Sequence, residues 1–306
     1  MLGDMPTALC FLALASLVAS SPVPSEALPP AARQVSDAPT VQALDFNWTR
    51  EGVITGVAGV LWISSEAIFK KDLSPKTCRW CDRTVDGTDT LNAVDRWGRG
   101  VAADTLEGRE RWDLWSNIGG FGVLPVGVLG AQYLLGSGSG APLQYYAQDA
   151  AIIIETTAVA ALVNQVVKFS VGRERPFVHA LPEDQKGLTK HPTDNNLSFY
   201  SGHTNMAFAL VTAAGTVSEL RGYKNRWLIW AVGLPAAASI GLLRMGADRH
   251  YLTDVLVGAA AGTVFGVGMP LLLHGRQEES QARTRAARMS MNVSGGLGGV
   301  MFSGQF

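Results

Sequence analysis

The chain has 306 residues, enough for one large domain or two small ones. Charged residues make up only 17% and hydrophobic residues 47%, where an average soluble domain carries roughly 25% charge, so the chain is not disordered and suits helices packed through small residues or set in a membrane. A formal net charge of −1 leaves no global basic field and excludes the electrostatic footprint of a nucleic-acid binder.

An apolar run from Ala8 to Ala19, followed by small residues, Pro22 and Pro24, resembles a secretory leader over residues 1–25, although Asp4 and no Lys or Arg precedes it. Residues 26–44 are rich in Pro, Ala and Ser and read as a linker. Six mostly apolar segments follow, at roughly 51–69, 116–136, 148–168, 203–219, 227–243 and 251–273, with few alternating β-branched runs between them. The predicted fold is all-α: a six-helix bundle over 45–275 with its active site at one end. A basic and then Gly-rich tail fills 276–306, where Met289–Ser294 alternates like a strand.

Membrane embedding is expected on length. Asn117–Gly136 and Val255–Leu273 are free of charge and near the 20 or so residues that a spanning helix needs. The third and fourth segments carry polar groups, among them Glu155, Asn164 and Gln165, so a soluble periplasmic bundle stays open as the alternative. Arg221, Lys224 and Arg226 between segments four and five, and Arg276, Arg283, Arg285 and Arg288 after segment six, would face the cytoplasm. Six spans with a cytoplasmic C-terminus conflict with a cleaved leader. Two locations are therefore expected for an exported chain: the inner membrane with a periplasm-facing site, or the periplasm itself.

Of three cysteines, Cys10 lies in the leader, which leaves Cys78 and Cys81. No βαβ pattern surrounds the pair and no second Cys/His pair stands at zinc spacing. A local disulfide in an exported loop is expected.

Three blocks at segment ends carry chemistry. Lys168 and Arg175 close the third segment, Ser201-Gly202-His203 opens the fourth, and Arg244 follows the fifth, with His250 and Asp254 opening the sixth. In an antiparallel bundle these ends share one face. Lys168, Arg175 and Arg244 bring three cations without an equal number of carboxylates, and an Arg fork matches a phosphate oxyanion. Free N–H groups at the start of the fourth helix would point at the same anion, which Gly202 lets approach closely. His250 and Asp254, four apart, share a helix face, so Asp254 can accept from one imidazole nitrogen and leave the other free to attack. His203 supplies a second imidazole suited to protonate a leaving oxygen. His179, His191 and His274 show no metal-ligand spacing and read as structural or solvated.

The run K-x6-R-P, then SGH, then R-x5-H-x3-D resembles the type 2 phosphatidic acid phosphatases, lipid phosphate phosphatases that share a site with vanadium haloperoxidases. Two departures stand out: Tyr200 takes the place of the usual Pro before SGH, and Leu243 that of the usual Ser before the third block's Arg. The resemblance implies a metal-independent phosphatase without a cofactor, in which His250 forms a phosphohistidine, Asp254 orients it and His203 protonates the leaving group. Lys168, Arg175, Ser201, Gly202 and Arg244 would hold the phosphoryl oxygens. The implied partner is a phosphorylated lipid or a small phosphate ester at a membrane, with no nucleic acid. Vanadate would act as an inhibitor, or as the cofactor of the alternative, a vanadium-dependent haloperoxidase; a soluble non-specific acid phosphatase is the other alternative.

Overall fold

The computed structural model describes residues 41–277. The leader, most of the linker and nearly all of the tail, including Cys10 and the strand-like Met289–Ser294, lie outside the described residues. Six long helices stand where six apolar segments were expected. Helix α1 (Trp48–Ala67) is followed by two short ones, α2 (Lys70–Leu73) and α3 (Ala93–Gly98). Helices α4 (Leu106–Ile118) and α5 (Leu124–Gly138) are joined through a π-helical turn at Gly119–Val123 into one 33-residue rod. Then come α6 (Leu143–Val171), the single turn α7 (Pro176–His179), α8 (Gly202–Arg221), α9 (Trp227–Gly246) and α10 (Leu252–Leu273).

The ends differ from expectation by capping chemistry that hydropathy does not see. Helix α1 begins at Asn47, whose side chain accepts from the N–H groups of Thr49 and Arg50. The second long helix starts ten residues earlier than its apolar stretch, at Leu106 with Thr105 as its N-cap, because Leu106–Ile118 is charged yet still helical. Residues 41–44, read as linker, are part of the fold: Leu44 is buried and pairs with Arg276, and Gln42 N–H donates to Arg221 O at 3.0 Å.

Helix α8 is the axis of the bundle and packs against α10, α6, α9 and α5. Its polar residues, which made it a poor spanning candidate by sequence, are accommodated because nearly every side of it faces protein: Asn205 donates to Ala160 O, and Thr212 and Thr216 bond back to the preceding turn. Helix α10 approaches it through Gly258, Gly262 and Gly266. A Cβ on any of the three would run into the α8 backbone, so the fourfold glycine spacing sets how close the two helices lie. Ile152 and Ile153 of α6, Leu210, Val211 and Val217 of α8, and Ile229 and Ile240 of α9 form the apolar centre.

Four helical stretches are long and apolar enough to cross a membrane: Leu106–Gly138, Leu143–Val171, Trp227–Gly246 and Leu252–Leu273. Their outer faces are apolar too. Val126, Leu134, Val232, Leu242, Val264 and Leu272 are all exposed, as are Val53, Val57, Val60 and Leu61 along α1. Apolar side chains on both the packed and the outward faces mark helices surrounded by lipid. The described portion is a membrane protein by this criterion.

Candidate active site

The end of α6, the start of α8, the end of α9 and the start of α10 meet at one end of the bundle, as the antiparallel reading requires. They surround a cavity of about 660 Å³ lined by Lys168, Arg175, Gly202, His203, Arg244 and His250. Gly172, at φ 62°, ends α6 in a left-handed turn and sends Arg173 to Arg175 across the bundle end. At Gly202 an added Cβ would lie 3.0 Å from Lys168 Nζ and 2.8 Å from Asn164 Oδ1, so glycine is what lets α8 begin against the lysine. Among the described residues no side chain caps this helix start, which leaves its first N–H groups available to an oxyanion.

The other two predicted site residues stand behind the cavity wall. Ser201 is fully buried; its Oγ accepts from Thr204 Oγ1 at 2.9 Å and its N–H donates to Asp254 O at 3.0 Å. Asp254 does not bond to His250 directly: the Oδ2–Nδ1 separation is 3.8 Å. Instead His250 Nδ1 donates to the carbonyl of Ser198 at 2.8 Å, and Asp254 holds that segment by accepting from Ser198 Oγ at 2.6 Å and Tyr251 N at 3.0 Å. The expected effect on the imidazole is thus reached through a relay. A carbonyl can only accept, so Nδ1 carries the proton and Nε2 keeps its lone pair.

The expectation of three unbalanced cations needs correction. Asp113 of α4 accepts from both Arg244 and Arg249, and Lys70 pairs with Glu66 and Asp194, whose backbone carbonyl accepts from Arg175 Nε at 2.8 Å. Most of these partners come from α1, α2 and α4, distant in sequence from the three blocks. The cavity still holds a cation surplus: Lys70, Lys168, Arg175, Lys190, Arg244 and Arg249 against Glu66, Glu110, Asp113 and Asp194. Arg244 Nε is buried with no partner among the described residues, a donor waiting for an acceptor.

Burial, and then the charges of Arg175, Arg244 and Lys168, push the His250 imidazole well below its ordinary value of 6.5. Burial works against ionisation of Asp194 as well, but Arg175 and Lys70 outweigh it and bring its carboxyl down to about 2. His250 is therefore neutral in the folded protein at pH 7, whereas in the unfolded chain it takes up a proton below about 6.5. The unfolded state then binds more protons, so the contribution of His250 to stability is complete above pH 6.5 and is lost as the pH falls below it. The melting temperature is expected to drop between pH 7 and pH 5, and to drop less in His250→Asn. Equal slopes in the two proteins would contradict the assignment.

Four residues that the sequence did not single out shape the site. Asn117 Oδ1 lies 2.7 Å from His203 Nε2, and Phe121 meets the same ring edge-on. Ser198 provides the relay described above. Arg173, two residues before Arg175, points the other way: it is fully buried and donates to Asp254 at 2.7 Å, Asp95 at 2.7 Å, Asp82 at 3.0 Å and Thr253 at 2.8 Å. Its guanidinium lies between the rings of Trp80 and Tyr251, 4.2 and 4.1 Å from their centroids. The Cys78–Cys81 disulfide brackets Trp80 in the loop between α2 and α3. It thereby braces the wall behind Asp254.

Residues 149–278 match the sequence model of the PAP2 superfamily. This stretch is a PAP2 superfamily domain. It contains all eight predicted site residues, while Asp113, Asn117 and the disulfide loop precede it in the chain. Among solved structures, a transmembrane PAP2-type phosphatidylglycerolphosphate phosphatase from Bacillus subtilis is similar at 14% identity with a TM-score of 0.41, covering 72% of this chain and 93% of that one.

Proposed function

We propose that the protein is a phosphohydrolase acting on the phosphate group of a membrane lipid through a phosphohistidine. The observation that carries the lipid assignment is a second, apolar cavity of about 750 Å³ between α5 and α9. It runs from Leu228 and Leu135 to Trp115, Ile118 and Leu243, and Leu243 is the residue immediately before Arg244. Where the related phosphatases usually carry a Ser, this chain places a leucine in the wall of an acyl-sized groove. A lipid could lay a chain along α5 and α9 and present its phosphate to the cation cluster.

His250 Nε2 attacks phosphorus in line as the bond to the lipid oxygen breaks, and His203 gives that oxygen a proton. Burial and the neighbouring cations hold the His203 ring neutral in the empty site, and the negative charge of the bound phosphate offsets them so that it takes up the proton it donates. A water molecule then attacks the phosphohistidine, with His203 removing its proton. The N–P bond breaks, inorganic phosphate leaves and His250 is restored. Lys168, Arg175, Arg244 and the first N–H groups of α8 stabilise the charge on the equatorial oxygens in both steps. Asp254, with Arg173 and Ser198, keeps Nε2 facing the cavity, and Ser201 supports the α8 start from behind. The charge stabilisation comes from these residues, so no step calls for a metal ion. The basic 220–226 connection, at the opposite end of α8 from the site, supports a site on the periplasmic side.

Gly127 lines the groove, and no atom lies within 4 Å of where its Cβ would stand. Gly127→Leu should fill the groove without disturbing the helix. Turnover of a long-chain phosphatidate in mixed micelles is expected to fall about tenfold, the worth of roughly 1.4 kcal/mol of lost binding, while p-nitrophenyl phosphate is hydrolysed as before. Equal loss on both substrates, or on neither, would contradict the role of the groove.

A further inference from the structure

At the other end of α10 stands a second cluster that the proposed phosphatase reaction does not use. Glu51 of α1, Glu155 in the middle of α6 and His274 just after α10 bring one ligand atom each to within 4.8 Å of one another. All three side chains are essentially without solvent contact. Sequence spacing gave His274 no carboxylate partner and left it as structural or solvated; the fold supplies two, from helices more than a hundred residues away.

The hydrogen bonds around the cluster leave it incomplete. His274 Nδ1 donates to the carbonyl of Asp45 at 3.1 Å, which fixes its proton there and turns the Nε2 lone pair inward. Nε2 lies 3.7 Å from Glu155 Oε2. Glu51 Oε1 is engaged by Arg50 and by Asn47 N–H. Glu51 Oε2, both oxygens of Glu155 and His274 Nε2 are buried with no partner among the described residues. Four acceptor atoms facing one another in a closed site repel unless a positive charge lies between them.

We propose that Glu51, Glu155 and His274 form a structural site for a divalent transition-metal ion of the zinc or manganese class. One imidazole and two carboxylates are a donor set such ions accept, and the Asp45 carbonyl holding the non-ligating nitrogen is the usual outer support of a metal-bound histidine. Ligand atoms around a four-coordinate ion stand about 3.3 Å apart, so small side-chain shifts close the site. The ion would clamp α1, α6 and the end of α10 where the described chain enters and leaves the domain. There, Asp45 N–H already donates to Gly275 O at 2.9 Å and Arg50 to Leu273 O at 3.1 Å. Along α6 about 20 Å separates Glu155 from Lys168, the cation that this helix brings to the cavity, so the site stabilises and takes no part in phosphoryl transfer.

The test uses the full chain in detergent, purified through a tag without histidines, stripped with a chelator and reloaded with Zn²⁺ or Mn²⁺ alone. One equivalent of metal should survive desalting and raise the melting temperature by several degrees, and Glu155→Gln should lose both effects. Hydrolysis of p-nitrophenyl phosphate at 25 °C should be the same in the stripped protein and in Glu155→Gln, which shows that both are folded. Absence of stoichiometric metal after reloading, or equal retention by Glu155→Gln, overturns the proposal. So does a melting temperature that answers to pH but not to either ion, because a proton shared by the two carboxyls would then be the missing charge. Should Glu155→Gln not fold, the stoichiometry of the unaltered chain decides alone.

Discussion

His250→Ala is expected to remove hydrolysis of both lipid and water-soluble phosphate esters, with kcat falling on the order of 10⁴-fold or more, the scale seen when a nucleophile is deleted from a covalent mechanism. The physical reason lies in what remains. In the proposed mechanism Lys168, Arg175, Arg244 and the α8 N-terminus still bind the phosphoryl group, but the attacking nitrogen is gone. Binding should therefore survive. Orthovanadate or phosphate should protect the variant against heat about as well as it protects the unaltered protein. Loss of turnover with retained protection assigns His250 to chemistry; loss of both would make it a structural residue.

The second large effect concerns stability. Arg173 is the only cation bonded to the fully buried Asp254 and Asp95 among the described residues. Burial works against its charge, but Asp254, Asp95 and Asp82 more than reverse this and hold the guanidinium ionised. Replacing it by Met, of comparable length, leaves the carboxylates buried without a counter-charge, at a cost of about 3–5 kcal/mol. For a domain of this size that corresponds to a melting temperature lower by on the order of 10 °C. Because Asp254 also holds Ser198, which in turn holds His250, activity should fall as well even where the variant stays folded. A variant that melts within about 2 °C of the unaltered protein would show that the cluster contributes little.

Arg173 also shows what the sequence could and could not disclose. Lys168, Arg175, Gly202, His203, Arg244 and His250 converge on one cavity because the ends of α6, α8, α9 and α10 carry them, and those four ends lie within three residues of where hydropathy placed them. The K-x6-R-P resemblance picks out Arg175, but nothing in R-E-R-P shows that Arg173 turns away from the cavity. Residues two apart in an extended run share a side, so nothing local separates the two arginines; the contacts with Asp82 and Asp95 draw Arg173 inward. Asp113 and Asn117 were hidden for a related reason. Asp113 lies on the charged half of a helix whose apolar half alone had drawn attention, and Asn117 opens that apolar half some fifty residues before the first block, with no local pattern that ties it to His203. The His250–Asp254 spacing did place both on one face, but a face is wider than a hydrogen bond, and Ser198 fills the gap. Glu51, Glu155 and His274 come from three separate helices, and no local pattern joins them.

A phosphohistidine on His250 is directly observable. Brief incubation with a ³²P-labelled soluble phosphate ester, followed by denaturation in alkali, should leave label on the protein that is stable to base, released by acid and confined to the peptide containing His250. His250→Ala should carry none. Turnover without any such label under single-turnover conditions, or label that persists in His250→Ala, would contradict the phosphohistidine mechanism.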